Sequence, residues 1–184
     1  MARKIGFIVG SLRKDSYNKK IAKKFATLLP DGFEAVFLEI GELPLYNEDL
    51  DVEGKIPDAW TKFREKAKTI DGVFFFTPEY NRSLPAAIKN ALDVGSRPYG
   101  ESVWTKKPGL VVSSSVGQIA GFGANHHLRQ SLVFLDVLVL QQPEAYISSV
   151  QNTIDEQGEF LEDTVEFFQS IVDAYIIFFN KLTD

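Results

Sequence analysis

At 184 residues, with 45% hydrophobic and 24% charged side chains, the chain has the size and balance of one α/β domain with a full core. A formal net charge of −5 argues against a general nucleic-acid binder, and the absence of cysteine excludes disulfides, thiolate nucleophiles and cysteine-held metals. No signal-peptide hydrophobic region is recognisable, and no run approaches the ~18 apolar residues of a membrane span, so a soluble, cytoplasmic protein is the expectation.

Ile5 to Val9 reads as a buried parallel strand, nearly continuous in apolar residues. The polar stretch Gly10 to Asn18 follows and leads into a helical pattern carrying Ile21, Ala22, Phe25, Leu28 and Leu29. Lys19, Lys20, Lys23 and Lys24 fall on the other face and read as solvated, and Pro30-Asp31-Gly32 stops the helix. A strand that ends in a polar loop and enters a helix N-terminus offers unpaired backbone N–H groups and a favourable dipole to an anion. Ser11, Ser16 and Asn18 add short donors there, and Arg13 adds a guanidinium suited to phosphate oxygens. Taken alone, the stretch is equally a capped helix with a solvated arginine.

Phe33 to Ile40 reads as a second strand, followed by an irregular segment from Gly41 to Pro57. Its length marks it either as an overhang above a site or as a surface excursion. Asp58 to Thr69 is a helix with Trp60, Phe63 and Ala67 near one face. Gly72 to Thr77 is the clearest strand, uncharged and β-prone. The loop Pro78-Glu79-Tyr80-Asn81-Arg82-Ser83-Leu84 comes next, and Pro85 opens a further helix.

Pro108 to Val112 is a fourth strand, with Ser113 to Gly117 as its loop. A helix runs from about Ala124 to Leu135, and Val137 to Leu140 is a short fifth strand. The last helix, Asp163 to Leu182, carries Phe168, Ile171, Tyr175 and Phe179 as a core stripe.

Strands alternating with helices call for a parallel sheet covered on both faces. The expected fold is a flavodoxin-like three-layer sandwich, a single domain with five strands in the order 2-1-3-4-5. Ligands bind such sheets beyond the C-terminal strand ends, where the strand order reverses. That topology makes neighbours of Gly10–Asn18, Pro78–Pro85 and Ser113–Gly117, the three loops richest in chemistry, and favours the phosphate reading of the first. A phosphate clamp beside a loop that can read a flat heterocycle through its backbone, with Tyr80 as an apolar plane, fits a flavin mononucleotide. Gly117 lets a ring edge come close.

Other chemistries find little support. The Walker A pattern and the G-x-S-x-G elbow are both missing. Gly117, Gly121 and Gly123 do not have dinucleotide-fingerprint spacing, and the adjacent His126 and His127 diverge on a helix, so no metal site is expected. Glu79 reads as a residue that fixes its loop rather than as a general acid.

Gly10-Ser11-x-Arg13-x-x-Ser16-x-Asn18, Pro78-Glu79-Tyr80-Asn81-x-Ser83-x-Pro85 and Lys89-Asn90-Ala91-x-Asp93 together resemble the NADPH-dependent FMN reductase family. The stretch from Ser113-Ser114-x-x-Gly117 through His127-Leu128-Arg129-Gln130 resembles its chromate and quinone reductase branch. The resemblance implies tightly held FMN and ping-pong, two-electron reduction of quinones, chromate or azo compounds by NADPH or NADH, with no side chain required as catalyst. It implies that Ser11, Arg13, Ser16, Tyr17 and Asn18 contact the FMN phosphate and ribityl chain. Pro78, Glu79, Tyr80 and Asn81 would border the isoalloxazine, and Ser113 would close its far side. It also implies a homodimer or homotetramer acting on small-molecule acceptors. Val94-Gly95 departs from the family, whose members carry a tryptophan and another bulky residue there. Gly123 and His126 stand where a close relative has arginine and tyrosine. The competing expectation is a flavodoxin-type electron carrier without a substrate of its own, which the Arg13 loop and modest charge disfavour.

Overall fold

The computed structural model describes residues 2–183. Strand β1 (Arg3–Val9) leads to helix α1 (Tyr17–Thr27), followed by β2 (Phe33–Phe37), α2 (Asp58–Lys68), β3 (Gly72–Thr77) and α3 (Ala86–Gly95). Then come β4 (Pro108–Ser114), α4 (Phe122–Phe134), β5 (Leu138–Val139), β6 (Ala145–Ile147) and α5 (Glu162–Thr183). The strands are parallel in the order β2-β1-β3-β4-β5, the flavodoxin-like arrangement, with β6 also paired to β4.

Alternation along the strands sorts the core into two layers. Ile8, Val73, Phe75 and Val111 pack under α2, α3 and α4. Ile5, Phe7, Phe74, Phe76, Leu110 and Val112 pack against Ile21 and Phe25 of α1 and the Phe168–Phe179 stripe of α5. The central strands β3 and β4 are buried along their whole length, as strands covered on both faces must be. The indole of Trp104 is fully buried against Gly95 and donates to the Leu92 carbonyl at 3.0 Å, so this chain fills with Trp104 the space beside its Val94-Gly95 departure.

Three sequence expectations need correction. Strand β2 ends at Phe37, not Ile40. Strand β4 continues through Ser113 and Ser114, which were assigned to the following loop; their hydroxyls do not interrupt pairing with Thr77, Tyr146 and Ile147. The fifth strand position is filled in two pieces, with Leu138–Val139 beside the start of β4 and Ala145–Ile147 beside its end.

The segment 41–57 is pinned to the helices behind it. Asn90 of α3 accepts from the Tyr46 amide at 2.8 Å and donates to the Leu43 and Pro44 carbonyls at 3.1 and 3.0 Å. Trp60 donates to the Pro44 carbonyl at 2.9 Å and stacks on Tyr46, with centroids 5.2 Å apart. Arg64, buried, grips both oxygens of Asp51 at 2.8 Å and donates through Nε to the Val94 carbonyl. The guanidinium holds the Asp51 carboxyl below its ordinary value by that hydrogen bond, against burial. Burial, followed by the Asp51 charge, pushes the Tyr46 phenol up.

Candidate functional site

The loops after β1, β3 and β4 meet at the C-terminal edge of the sheet. A cleft there is lined by Ser11, Arg13, Ser16, Tyr17 and Asn18 from the first, Pro78, Glu79 and Tyr80 from the second, and Ser114, Ser115 and Val116 from the third. Val150 closes it.

The first loop is packed tightly from below. A Cβ on Gly10 would lie 2.5 Å from Ile88 Cδ1 of α3 and 3.2 Å from Pro78 Cδ, so only glycine lets the loop rest on α3 and the second loop together. Ser16 is the N-cap of α1 in extended conformation, and its Oγ accepts from the Lys19 amide at 3.3 Å. The cap consumes the hydroxyl as acceptor and leaves its hydrogen to donate. Among the described residues nothing accepts from the Tyr17 or Asn18 amides, so two N–H groups at the positive end of α1 remain for an anion.

The second loop is a tight hairpin. Tyr80 and Ser83 exchange both backbone hydrogen bonds at 3.0 Å, and the two residues between them, Asn81 and Arg82, both take positive φ (50° and 64°). Glu79 holds this hairpin from two sides, accepting from Arg82 Nη1 at 3.2 Å and from the Ala124 amide at 3.1 Å. The second contact caps α4, whose own N-cap residue, Gly121, has no side chain to do so. A Cβ on Gly123 would lie 2.6 Å from the Arg82 carbonyl oxygen, so glycine at this position lets α4 approach the hairpin this closely. His127 Nδ1 meets Ser83 Oγ at 3.0 Å, while His126 points away to Tyr146.

The structure brings together Ser11, Arg13, Ser16, Tyr17, Asn18, Pro78, Glu79 and Tyr80 of the expected residues. Asn81 is exposed in the hairpin turn, and Gly117 lies beyond the lining residues. Ser113 is fully buried and points away from the cleft, its Oγ accepting from Asn125 Nδ2 of α4 at 3.2 Å. Its neighbour Ser114 lines the cleft instead. Strand alternation explains the exchange: 111 and 113 face α4, whereas 112 and 114 face the α1 layer. Sequence reading missed Ser114, Ser115, Val116 and Val150. The run Pro108 to Ser114 has no polar–apolar alternation, so nothing in the sequence separated Ser114 from Ser113.

Two buried side-chain atoms in this wall lack any partner, Asn18 Oδ1 and Ser114 Oγ. Buried polar atoms are rarely left unpaired, so both call for hydrogen-bonding groups from a ligand. The groups whose ionisation the fold displaces (Tyr46, Asp51, Lys107, Arg129, Tyr146 and Tyr175) all lie outside the cleft lining. Among the described residues no group of three His, Asp or Glu side chains is placed to hold a metal. The cleft is equipped to hold a polar, anionic molecule.

The family model for NADPH-dependent FMN reductases matches residues 3–152. The chain belongs to that family. A quinone reductase from Pseudomonas putida is 52% identical over 93% of this chain and 91% of its own length. A 2-hydroxy-1,4-benzoquinone reductase from a Burkholderia species is 44% identical over 95% of each. Among solved structures, the flavoenzyme NAD(P)H:(acceptor) oxidoreductase FerB from Paracoccus denitrificans superposes with a TM-score of 0.90 at 36% identity, covering 98% of both chains. Family membership carries FMN as cofactor and a reduced nicotinamide as electron donor. The first motif and the start of the second fall on the cleft, while Lys89-Asn90-Ala91-x-Asp93 lies behind it on α3; the cleft residues suit that cofactor: unpaired amides and Arg13 for a phosphate, Asn18 and Ser114 for hydroxyls.

Proposed function

We propose that this protein is an NAD(P)H-dependent quinone reductase that holds FMN in the three-loop cleft. The observation that carries the reading is the pair of orphaned buried atoms, Asn18 Oδ1 and Ser114 Oγ, beside the open N-terminus of α1. The names of the relatives support the acceptor class.

Bound there, FMN would supply two-electron hydride chemistry between the nicotinamide donor and the acceptor. The chain's own residues anchor and orient. The Tyr17 and Asn18 amides, the Ser16 hydroxyl and Arg13 hold the phosphate, which fixes the cofactor by its tail. Asn18 and Ser114 bond the ribityl hydroxyls. Pro78, Glu79 and Tyr80 form the wall against which the ring lies, and Glu79 keeps that wall in place through Ala124. No side chain of the cleft is needed as acid or base.

Donor and acceptor reach the ring through the same open mouth in turn, which gives ping-pong kinetics and admits acceptors as different as quinones, chromate and azo compounds. Among the described residues no helix is long and apolar enough to cross a membrane. A cysteine-free chain that draws on reduced nicotinamide fits the cytoplasm. Exposed Val133 and Phe134 at the end of α4, with exposed Tyr99 of the turn after α3 lining the same groove as Phe134, support a further copy of the chain as partner, in a homodimer or homotetramer.

The test is anaerobic mixing of the yellow holoprotein with NADPH or NADH. Loss of the flavin absorbance, restored by a benzoquinone, is expected. A flavin that neither nicotinamide bleaches would favour an electron carrier and overturn the reductase reading.

A further inference from the structure

A second cleft, of about 370 Å³, opens beyond the C-terminal ends of β1 and β2. It is larger than the flavin cleft but contains neither of its orphaned atoms. Val9 and Phe37 give it an apolar floor, the first loop and α1 contribute Arg13 and Lys19, and the segment after β2 contributes Glu39 and Glu42. None of these four charged side chains enters the described ion pairs. Arg13 also lines the flavin cleft, so the two clefts share a wall.

An apolar floor with cations from the first loop and α1 and carboxylates from the segment after β2 suits a ligand with three chemistries: an aromatic base, a diphosphate and free hydroxyls. The reaction read above uses such a molecule. Resting on that reading, we propose that this cleft takes the adenosine diphosphate half of the nicotinamide donor. The base lies over Val9 and Phe37, the diphosphate meets Arg13 and Lys19, and the ribose hydroxyls turn to Glu39. In Rossmann-type dinucleotide-binding sheets a carboxylate about 20 residues past the first turn accepts from the ribose 2′-hydroxyl, and a carboxylate so placed would repel a 2′-phosphate. Glu39 stands two residues past the end of β2, so the preferred donor is NADH.

The experiment compares three donors on the FMN-loaded protein: NADH, NADPH and reduced nicotinamide mononucleotide, which lacks adenosine. Calorimetric titration with ADP-ribose adds a readout independent of turnover. Gly41→Phe fills the rim of the cleft, where a Cβ meets only the Leu12 side chain, at 3.4 Å or more. It should weaken ADP-ribose and raise the KM for NADH at least tenfold, with the rate on the mononucleotide and the FMN content unchanged. Glu39→Gln should raise the NADPH-to-NADH ratio of kcat/KM at least fivefold. Should Gly41→Phe fail to fold, Lys19→Glu on the exposed face of α1 must weaken ADP-ribose by a similar factor. ADP-ribose binding unchanged in these variants, or an equal loss on the mononucleotide and on NADH, overturns the proposal. If no donor bleaches the flavin, the reductase reading falls, while the ADP-ribose titration still judges the cleft.

Discussion

The Glu79 carboxylate accepts from the backbone amide of Ala124 at 3.1 Å, joining the loop after β3 to the first turn of α4 across 45 positions of sequence. The bond gives α4 the cap that Gly121 cannot supply and fixes one wall of the flavin cleft with the same atom. Glu79→Ala should cost about 1 kcal/mol, the usual value of a lost cap. That is roughly 2–4 °C in Tm for a chain of this size. FMN should also dissociate faster, and Glu79→Gln should recover part of both losses. Thermal unfolding and the fluorescence of released FMN measure the two effects.

On the reading proposed above, Arg13 and Ser16 would hold the phosphate and take no part at the reacting ring. Arg13→Ala should weaken FMN binding by about 10- to 100-fold, the equivalent of one charge-assisted hydrogen bond. Turnover at saturating FMN should change much less. Ser16→Ala should behave similarly and also destabilise α1 through its lost cap. Equilibrium dialysis set beside kcat separates the two quantities.

Ser114 and Ser113 should respond differently to the same substitution. Ser114→Ala removes a cleft-lining group and should loosen FMN by roughly three- to tenfold, a neutral hydrogen bond's worth. Ser113→Ala should leave FMN affinity unchanged and lower stability instead, since it strips a buried partner from Asn125. FMN titration and chemical denaturation of both variants provide the check.

The Arg64–Asp51 pair governs the segment 41–57. Both side chains are at least nine-tenths buried, so Arg64→Met, which strands a carboxylate, should cost about 3 kcal/mol. The folded Asp51 carboxyl ionises below its unfolded value, chiefly through the Arg64 hydrogen bond. The pair's contribution is therefore complete above about pH 4 and fades as pH falls through the folded value. Asp51→Asn should lower stability at neutral pH and flatten the acid limb of the stability profile, read from denaturant midpoints across pH.

The layers and sheet order were legible because β1, β3 and β4 each contain an apolar run (Ile5–Val9, Val73–Phe76, Leu110–Val112) and these runs alternate with segments of helical spacing. The first loop was legible for a related reason: Ser16 and Asn18 sit where a helix begins, and a helix N-terminus has few uses. The β4 boundary was not, because Ser113 and Ser114 look like loop residues until their pairing with Thr77 and Ile147 is known. β6 was hidden by its length of three residues behind Pro143, and its pairing depends on β4 extending that far. The anchoring of 41–57 rests on Asn90, Trp60 and Arg64, each at least 13 positions from the atom it grips, a separation at which local pattern carries no information.

The seating of Gly10 on Ile88 means that the proposed grip on a phosphate would also be a property of the floor beneath it. Ile88 belongs to the hydrophobic layer under α2, α3 and α4 and has no surface of its own, yet its terminal carbon is what holds the loop at its height. Shaving that carbon away, as valine would, lets the loop sink without altering any group that touches the ligand. Cofactor residence time is thus partly written in aliphatic volume, and sequence drift in the core can retune it while every binding residue stays the same.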